Sequence, residues 1–312
     1  MKTLIAVLCL VASVQLHAET SVDHGQFDLI LKDVVVDGRV DYLRVRQRHW
    51  EDLTDYLNRM GDVDHENLSR DERLALYCNL YNATMIRTIV ERFHAAYSPA
   101  ENNKQIFRDS LVRVKGRTIT LNELEHKLIR AGFNEPRIHA ALVCGGLGCP
   151  RQAAHAYKAA DLDATLDADM NAWINDPEKN VVDAQSNAVT LAKLFKFYAD
   201  DFGGIDAVVR YVDARHPTDF TAMSVTFSEV YDWTLNLATP RDGTWVRIVP
   251  ESAALRGDAA EAAKSIGTAF RNQTFEQIDQ NNGFVKVIRP FGEGEAWLPA
   301  GAVQPFAYVG KP

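Results

Sequence analysis

Apolar side chains recur at helical spacing over residues 69–93, where Leu76, Leu80, Ala83, Ile86 and Val90 share one face. Ser69-Arg70-Asp71-Glu72 at its start has the form of a capping box, in which a hydroxyl and a carboxylate satisfy free backbone donors. This predicts the longest helix of the chain. Shorter helical patterns cover residues 26–34 and 50–60, the latter with Leu53, Tyr56 and Leu57 on one face. Thr120-Leu121-Asn122-Glu123 is a second capping box and predicts a helix to about Ala131, broken by Asn134-Glu135-Pro136. Further helices are expected at 161–173, 194–198 and 205–212, the last two separated by Gly203-Gly204. Extended pieces are expected at 40–42, 225–227 and 231–233, with hairpins at 111–114/118–120 and 181–183/188–191. Residues 137–144 read as a strand running into Gly145-Gly146-Leu147-Gly148. Pro150 is then expected in the first turn of a new helix, where its missing N–H is not needed.

Beyond a linker at 237–243 the texture changes to short β-runs at 245–248, 274–277, 284–288 and 295–298, spaced by turn residues as in a small barrel. At the other end, Lys2, an apolar run over 4–14 and a small residue at Ala18 form the pattern of a secretory signal cleaved after Ala18. That run is shorter than the roughly 20 residues a membrane span needs. Cys9 follows Leu8 rather than the small residue a lipid-attachment signal wants. The predicted organisation is a leader (1–18), an α+β domain (19–238), and a linker with a small barrel (239–312), in the periplasm or secreted. The formal net charge of −8 becomes one unit more negative when Lys2 leaves with the leader. Without basic clusters, this argues against nucleic acid and anionic lipid as partners. No later segment is apolar enough to cross a membrane.

Several short motifs bear a resemblance. Asn79-Leu80-Tyr81-Asn82-Ala83, Leu124-Glu125-His126, residues 136–142, Cys144-Gly145 with Gly148-Cys149-Pro150, Lys196-Phe197-Tyr198 with Asp201-Phe202, and residues 231–236 occur in order. Together they resemble the family known as domain of unknown function 547, over about residues 26–236. Tyr77 and Cys78 depart from its pattern, and Cys78 reads as a core substitution. The C-terminus, through Asn282-Gly283-Phe284 and Ala296-Trp297-Leu298, resembles bacterial SH3-like domains. That resemblance implies a targeting module for cell-wall peptides or an envelope protein. The expected fold is therefore α+β, a helical N-terminal part packed on a small antiparallel sheet in the manner of cysteine hydrolases, followed by an SH3-like barrel.

The reactive residue types concentrate at His139, Cys144, Gly145, Gly146 and Cys149. At the N-terminus of a helix opened by Pro150, Cys149 would be held as a thiolate by the dipole and free amides. The same amides would hold an oxyanion. Cys144, at the end of the expected strand, is the other candidate nucleophile, and His139 and His126 are the candidate bases. Strand alternation would place His139 and Cys144 on opposite faces, which favours Cys149. The two cysteines can equally form a structural disulfide in an oxidising compartment, or remain inert thiols. With His126 and His139 they lack the ligand spacing of a zinc site, and no metal or cofactor is expected.

Glu125 and His126 are adjacent on a helix and diverge by about 100°. Asn79 and Asn82 share a face and demand partners there, by binding substrate or tying down a loop. Arg137 is expected to pair with Asp201 or Glu125. Trp245, Phe284, Trp297 and Phe306 line a peptide groove or fill the barrel core; at least two are expected in the core. Three functions stay open: a cysteine-dependent hydrolase or acyltransferase on amide or peptide bonds, which the residues favour; a thiol–disulfide oxidoreductase, whose cysteine spacing is wider than usual; and a non-catalytic wall-binding protein.

Overall fold

The computed structural model of the chain describes residues 22–238 and 243–306, so the expected leader and most of the expected linker lie outside the described residues. The helix Arg70–Arg92 is the axis of the larger core. Its capping box is formed, with Ser69 Oγ accepting from the Glu72 N–H and the Glu72 carboxylate accepting from the Ser69 N–H. Leu74, Leu76, Leu80, Ile86 and Ile89 are almost fully buried against helices Gly25–Val34 and Trp50–Gly61. Burying each such side chain contributes roughly 1.5–3 kcal/mol. Cys78 is fully buried among them, its thiol pKa pushed up by that burial, as a core substitution requires.

The interior face of this helix also carries Asn79 and Asn82, and both are tied to distant backbone. Asn79 donates to Tyr157 O at 2.8 Å and accepts from the Tyr157 N–H at 2.9 Å. Asn82 donates to Ala141 O at 2.8 Å and accepts from the Val143 N–H at 3.0 Å. Both amides thereby replace secondary-structure partners for chain that has none.

A second core, with Trp173 stacked on Phe195 at 4.0 Å, packs helix Leu162–Ile174 and helix Ile205–Asp213 against a three-stranded sheet. That sheet is mixed rather than antiparallel: Val181–Asp183 pairs antiparallel with Ala188–Leu191, and Ser224–Phe227 pairs with Ala188–Leu191 in parallel. The expected hairpin Leu111–Val114/Arg117–Thr120 and the second capping box at Thr120 are formed. Four local expectations fail. The extended piece expected at 40–42 runs into the helix Tyr42–Arg44, and the one expected at 231–233 forms no strand. Residues 137–144 hold a short helix, Ile138–Ala141, where a strand was expected. Residues 150–158 are irregular where Pro150 was expected to open a helix. The Gln152 N–H donates to Gly38 O and the Ala156 N–H to Asp28 Oδ1, so partners elsewhere in the fold supply what a helix would have.

The C-terminal part is one antiparallel sheet of seven strands with its own core. Its order runs Ser265–Phe270, Ser252–Arg256, Glu295–Pro299, Phe284–Ile288, Thr274–Asn281, Thr244–Ile248, Val303–Pro305, and the two end strands do not pair with each other. Trp245 and Phe284 are buried, and Trp297 and Phe306 are half-buried. Trp245 belongs to the larger, helical core, and Phe306 packs against it. Arg46, buried, donates to Thr274 O at 2.6 Å and Thr274 Oγ1 at 3.1 Å, its pKa lowered to about 10 by burial. Trp50 meets Phe291 edge-on at 4.7 Å.

Candidate functional site

Residues 142–149 leave the helix Ile138–Ala141 under the Asn82 clamp and turn back at Gly145, where φ is +82°. A Cβ there would stand 2.4 Å from Ile89 Cδ1, so only glycine permits this close approach. The loop then pairs with the segment 231–236: Leu147 N–H to Thr234 O and Gly148 N–H to Asp232 O, both 2.7 Å, and Asn236 N–H to Gly145 O at 2.8 Å. The Cys149 N–H closes a turn onto Gly146 O, and Lys179 Nζ bonds Leu147 O. These amides serve the chain itself, and Cys149 stands on an irregular segment rather than at a helix start. The expected dipole and amide cradle for its thiolate are therefore not formed.

Cys144 and Cys149 are joined as a disulfide. The Tyr231 hydroxyl lies 3.1 Å from Cys144 Sγ and 3.0 Å from Cys149 Sγ, and the Cys144 N–H donates to Cys149 Sγ at 3.0 Å. Burial first, then Glu125 and Asp232, push the Tyr231 phenol pKa up, so it stays protonated and able to donate. The disulfide borders a cleft of about 340 Å³ whose walls also carry Glu125, His126, His139 and Tyr198.

Glu125 and His126 share this cleft because the helix widens there into a π-type stretch, Leu124–Arg130, a distortion that recurs at functional sites. The buried Glu125 carboxylate accepts from Tyr198 Oη at 2.7 Å and Tyr81 Oη at 3.1 Å. Burial, with Glu125 next, raises both phenol pKa values. His139 lies flat on Tyr198 at 4.0 Å, and its Nε2 meets Asp201 Oδ2 at 2.7 Å. Arg130 clamps the same carboxylate through Nε at 2.7 Å and Nη2 at 2.8 Å, and donates from Nη1 to His126 Nδ1 at 2.9 Å. His139, and then Arg130, hold the Asp201 carboxyl far below the ordinary carboxylate range. An ionised Asp201 makes His139 Nε2 the proton-bearing nitrogen, with the ring's lone pair on Nδ1. Because arginine only donates, His126 Nδ1 is an acceptor.

Of the candidate residues, Cys144, Cys149, His139, His126 and Glu125 meet in the cleft. Asn79 and Asn82 clamp backbone, and Gly145 and Gly146 pack against other chain rather than line it. Arg137 pairs with Glu135, Asp163 and Asp167 instead of Asp201 or Glu125. Arg130 is the partner of Asp201, four residues beyond His126 in the sequence. Tyr81, Tyr198 and Tyr231 were chemically silent in the sequence, although each lies inside a quoted motif.

Residues 65–174 match a family model described as a protein of unknown function, DUF547. The matched stretch, roughly a third of the chain, carries Glu125, His126, His139 and both cleft cysteines, but not Asp201 or Tyr231. No curated protein and no solved structure matches the chain.

Proposed function

We propose that the cleft performs cysteine-dependent hydrolysis or acyl transfer on amide or peptide bonds after a dithiol reductant opens the Cys144–Cys149 bond. The carrying observation is that both sulfurs and His139, whose Nε2 is held by Asp201, border one cleft. Attack of the reductant's thiolate breaks the S–S bond, and its second thiol completes the exchange, leaving an oxidised reductant and two protein thiols. Cys149 is the nucleophile, since the Cys144 N–H and the Tyr231 hydroxyl already face its sulfur and favour a thiolate there. The Cys149 thiol passes its proton to His139, the thiolate adds to the amide carbonyl carbon, and the C–N bond breaks as His139 hands that proton to the leaving amine. Water, or a second amine in transfer, then cleaves the thioester and returns the thiol. Asp201 fixes the His139 tautomer, the division of labour known from nucleophile–histidine–carboxylate sites.

A second reading rests on the disulfide itself: it braces a loop pinned to residues 232–234, and the cleft binds a wall peptide without reaction. In either reading the chain acts in the periplasm or outside the cell, and the C-terminal sheet serves as an SH3-like targeting module. Hydrolysis of wall-derived peptides before and after dithiothreitol decides between the two. The hydrolase reading expects activity only after reduction, lost at least a hundredfold in Cys149→Ser and His139→Gln. Peptide binding by a folded Cys144→Ser/Cys149→Ser variant, with no turnover by the reduced chain, selects the binding reading.

A further inference from the structure

We infer that the cleft takes a carboxylate-bearing ligand, its acid group held between Lys104 and Arg108; the inference rests on the reactive-cleft reading above. Both side chains line the cleft together with Tyr231 and Trp233, the aromatic partners of the disulfide loop. Neither forms an ion pair among the described residues. Lys104 instead lies over the Trp233 ring at 4.6 Å, and Arg108 is exposed without a carboxylate partner. In a chain of net charge −8, two unmatched cations on one cleft concentrate positive potential there.

Glu125 lines the same cleft, but its carboxylate oxygens are taken up by the phenols Tyr81 and Tyr198 and pair with neither cation. The backbone adds an independent sign. Asn102, Asn103 and Lys104 form a left-handed turn, with φ of 49°, 56° and 59°. Asparagine adopts this conformation readily, but lysine does so at a cost. A strained residue that carries its charge to a cleft rim is the pattern expected of a ligand clamp. Phe107, Tyr231 and Trp233 then offer the ligand apolar faces beside its anionic end. The class this chemistry recognises is a peptide that carries a free carboxylate.

Thiols of different charge probe this on the native oxidised protein. 3-Mercaptopropionate, 2-mercaptoethanol and cysteamine, compared at equal thiolate concentration, each open the disulfide by attack on one sulfur and expulsion of the other as thiolate. Quenching with N-ethylmaleimide and mass measurement gives each rate. The net charge of −8 on its own would make the carboxylate thiol the slowest. Each rate is divided by that of the same thiolate on a small neutral disulfide, which removes the intrinsic nucleophilicity that rises with thiol pKa. The inference expects the carboxylate thiol to be the fastest, by about tenfold over cysteamine at low ionic strength, a spread of the size local steering produces. Salt at about 0.5 M should collapse that spread. In Lys104→Gln/Arg108→Gln the propionate-to-mercaptoethanol rate ratio should fall about fivefold. A flat or reversed charge order, or an unchanged ratio in the variant, overturns the carboxylate clamp while leaving the reactive cleft standing. Failure of every thiol to reduce the folded protein overturns the reactive cleft, and the clamp with it.

Discussion

Asn79 and Asn82 on the long helix have both ends of each amide bonded to main chain, while Glu125 and His139, also buried, bond to side chains and themselves border open volume. The asparagines hold residues 141–143 and 157 where no regular structure would, and every polar atom they present is satisfied within the fold. The second group forms a chain from Tyr81 through Glu125 to Tyr198, with His139 stacked above it and Asp201 behind. Here Tyr81, Glu125, Tyr198 and His139 all border the cleft. The contrast separates groups closed within the fold from groups open to the cleft, which burial alone does not do, since Glu125 and His139 are buried as the asparagines are.

Three measurements sharpen or break that contrast. Asn82→Leu strands the buried Ala141 carbonyl and Val143 N–H together, and urea unfolding should show a loss of about 4 kcal/mol. A loss below about 1 kcal/mol would mean the loop holds itself and the clamp is incidental. Asp201→Asn should cost about 2 kcal/mol at neutral pH, because it removes charge-assisted bonds to Arg130 and His139. Its sign with pH is fixed by the depressed carboxyl. The stabilisation is complete above the unfolded value of about 3.9 and fades as pH falls from there toward the lower folded value. The stability gap between parent and variant should therefore narrow from about pH 4 down to pH 2, and a gap constant over that range would show that Asp201 is not held ionised. Smallest of the three, Lys104→Gly should raise stability by about 1 kcal/mol by relieving the left-handed backbone, while slowing reduction by 3-mercaptopropionate. Stabilisation without slowing would reduce Lys104 to a strained surface residue.

The long helix and both capping boxes were legible because their signals are local: a hydroxyl, a carboxylate three residues on, and an apolar face. Residues 137–144 were not, since Ile138-His139-Ala140-Ala141 carries neither a strand nor a helix period and is set by the Asn82 clamp. Pro150 misled for a related reason. The donors around it find acceptors on Gly38 and Asp28, far away in sequence. In the site, residue type alone picked out the cysteines, both histidines and Glu125. The phenols and the Asp201 carboxylate were hidden, because Asp201 lies 62 residues from His139 and Tyr231 lies 82 from Cys149. Arg137 and Arg130 could be told apart only by the π-type stretch that turns Arg130 inward.

The bridge made by Arg46, Trp245 and Phe306 has a mechanical meaning. A C-terminal module on a free tether would let the cleft sweep a volume around its anchor. Here a buried guanidinium grips the sheet backbone, and two of the sheet's aromatic rings are seated in or against the helical interior. A protease nick between residues 238 and 243 would thus leave two fragments that still migrate as one particle. The sheet thus keeps a constant offset from the disulfide, as a ruler does and a leash does not.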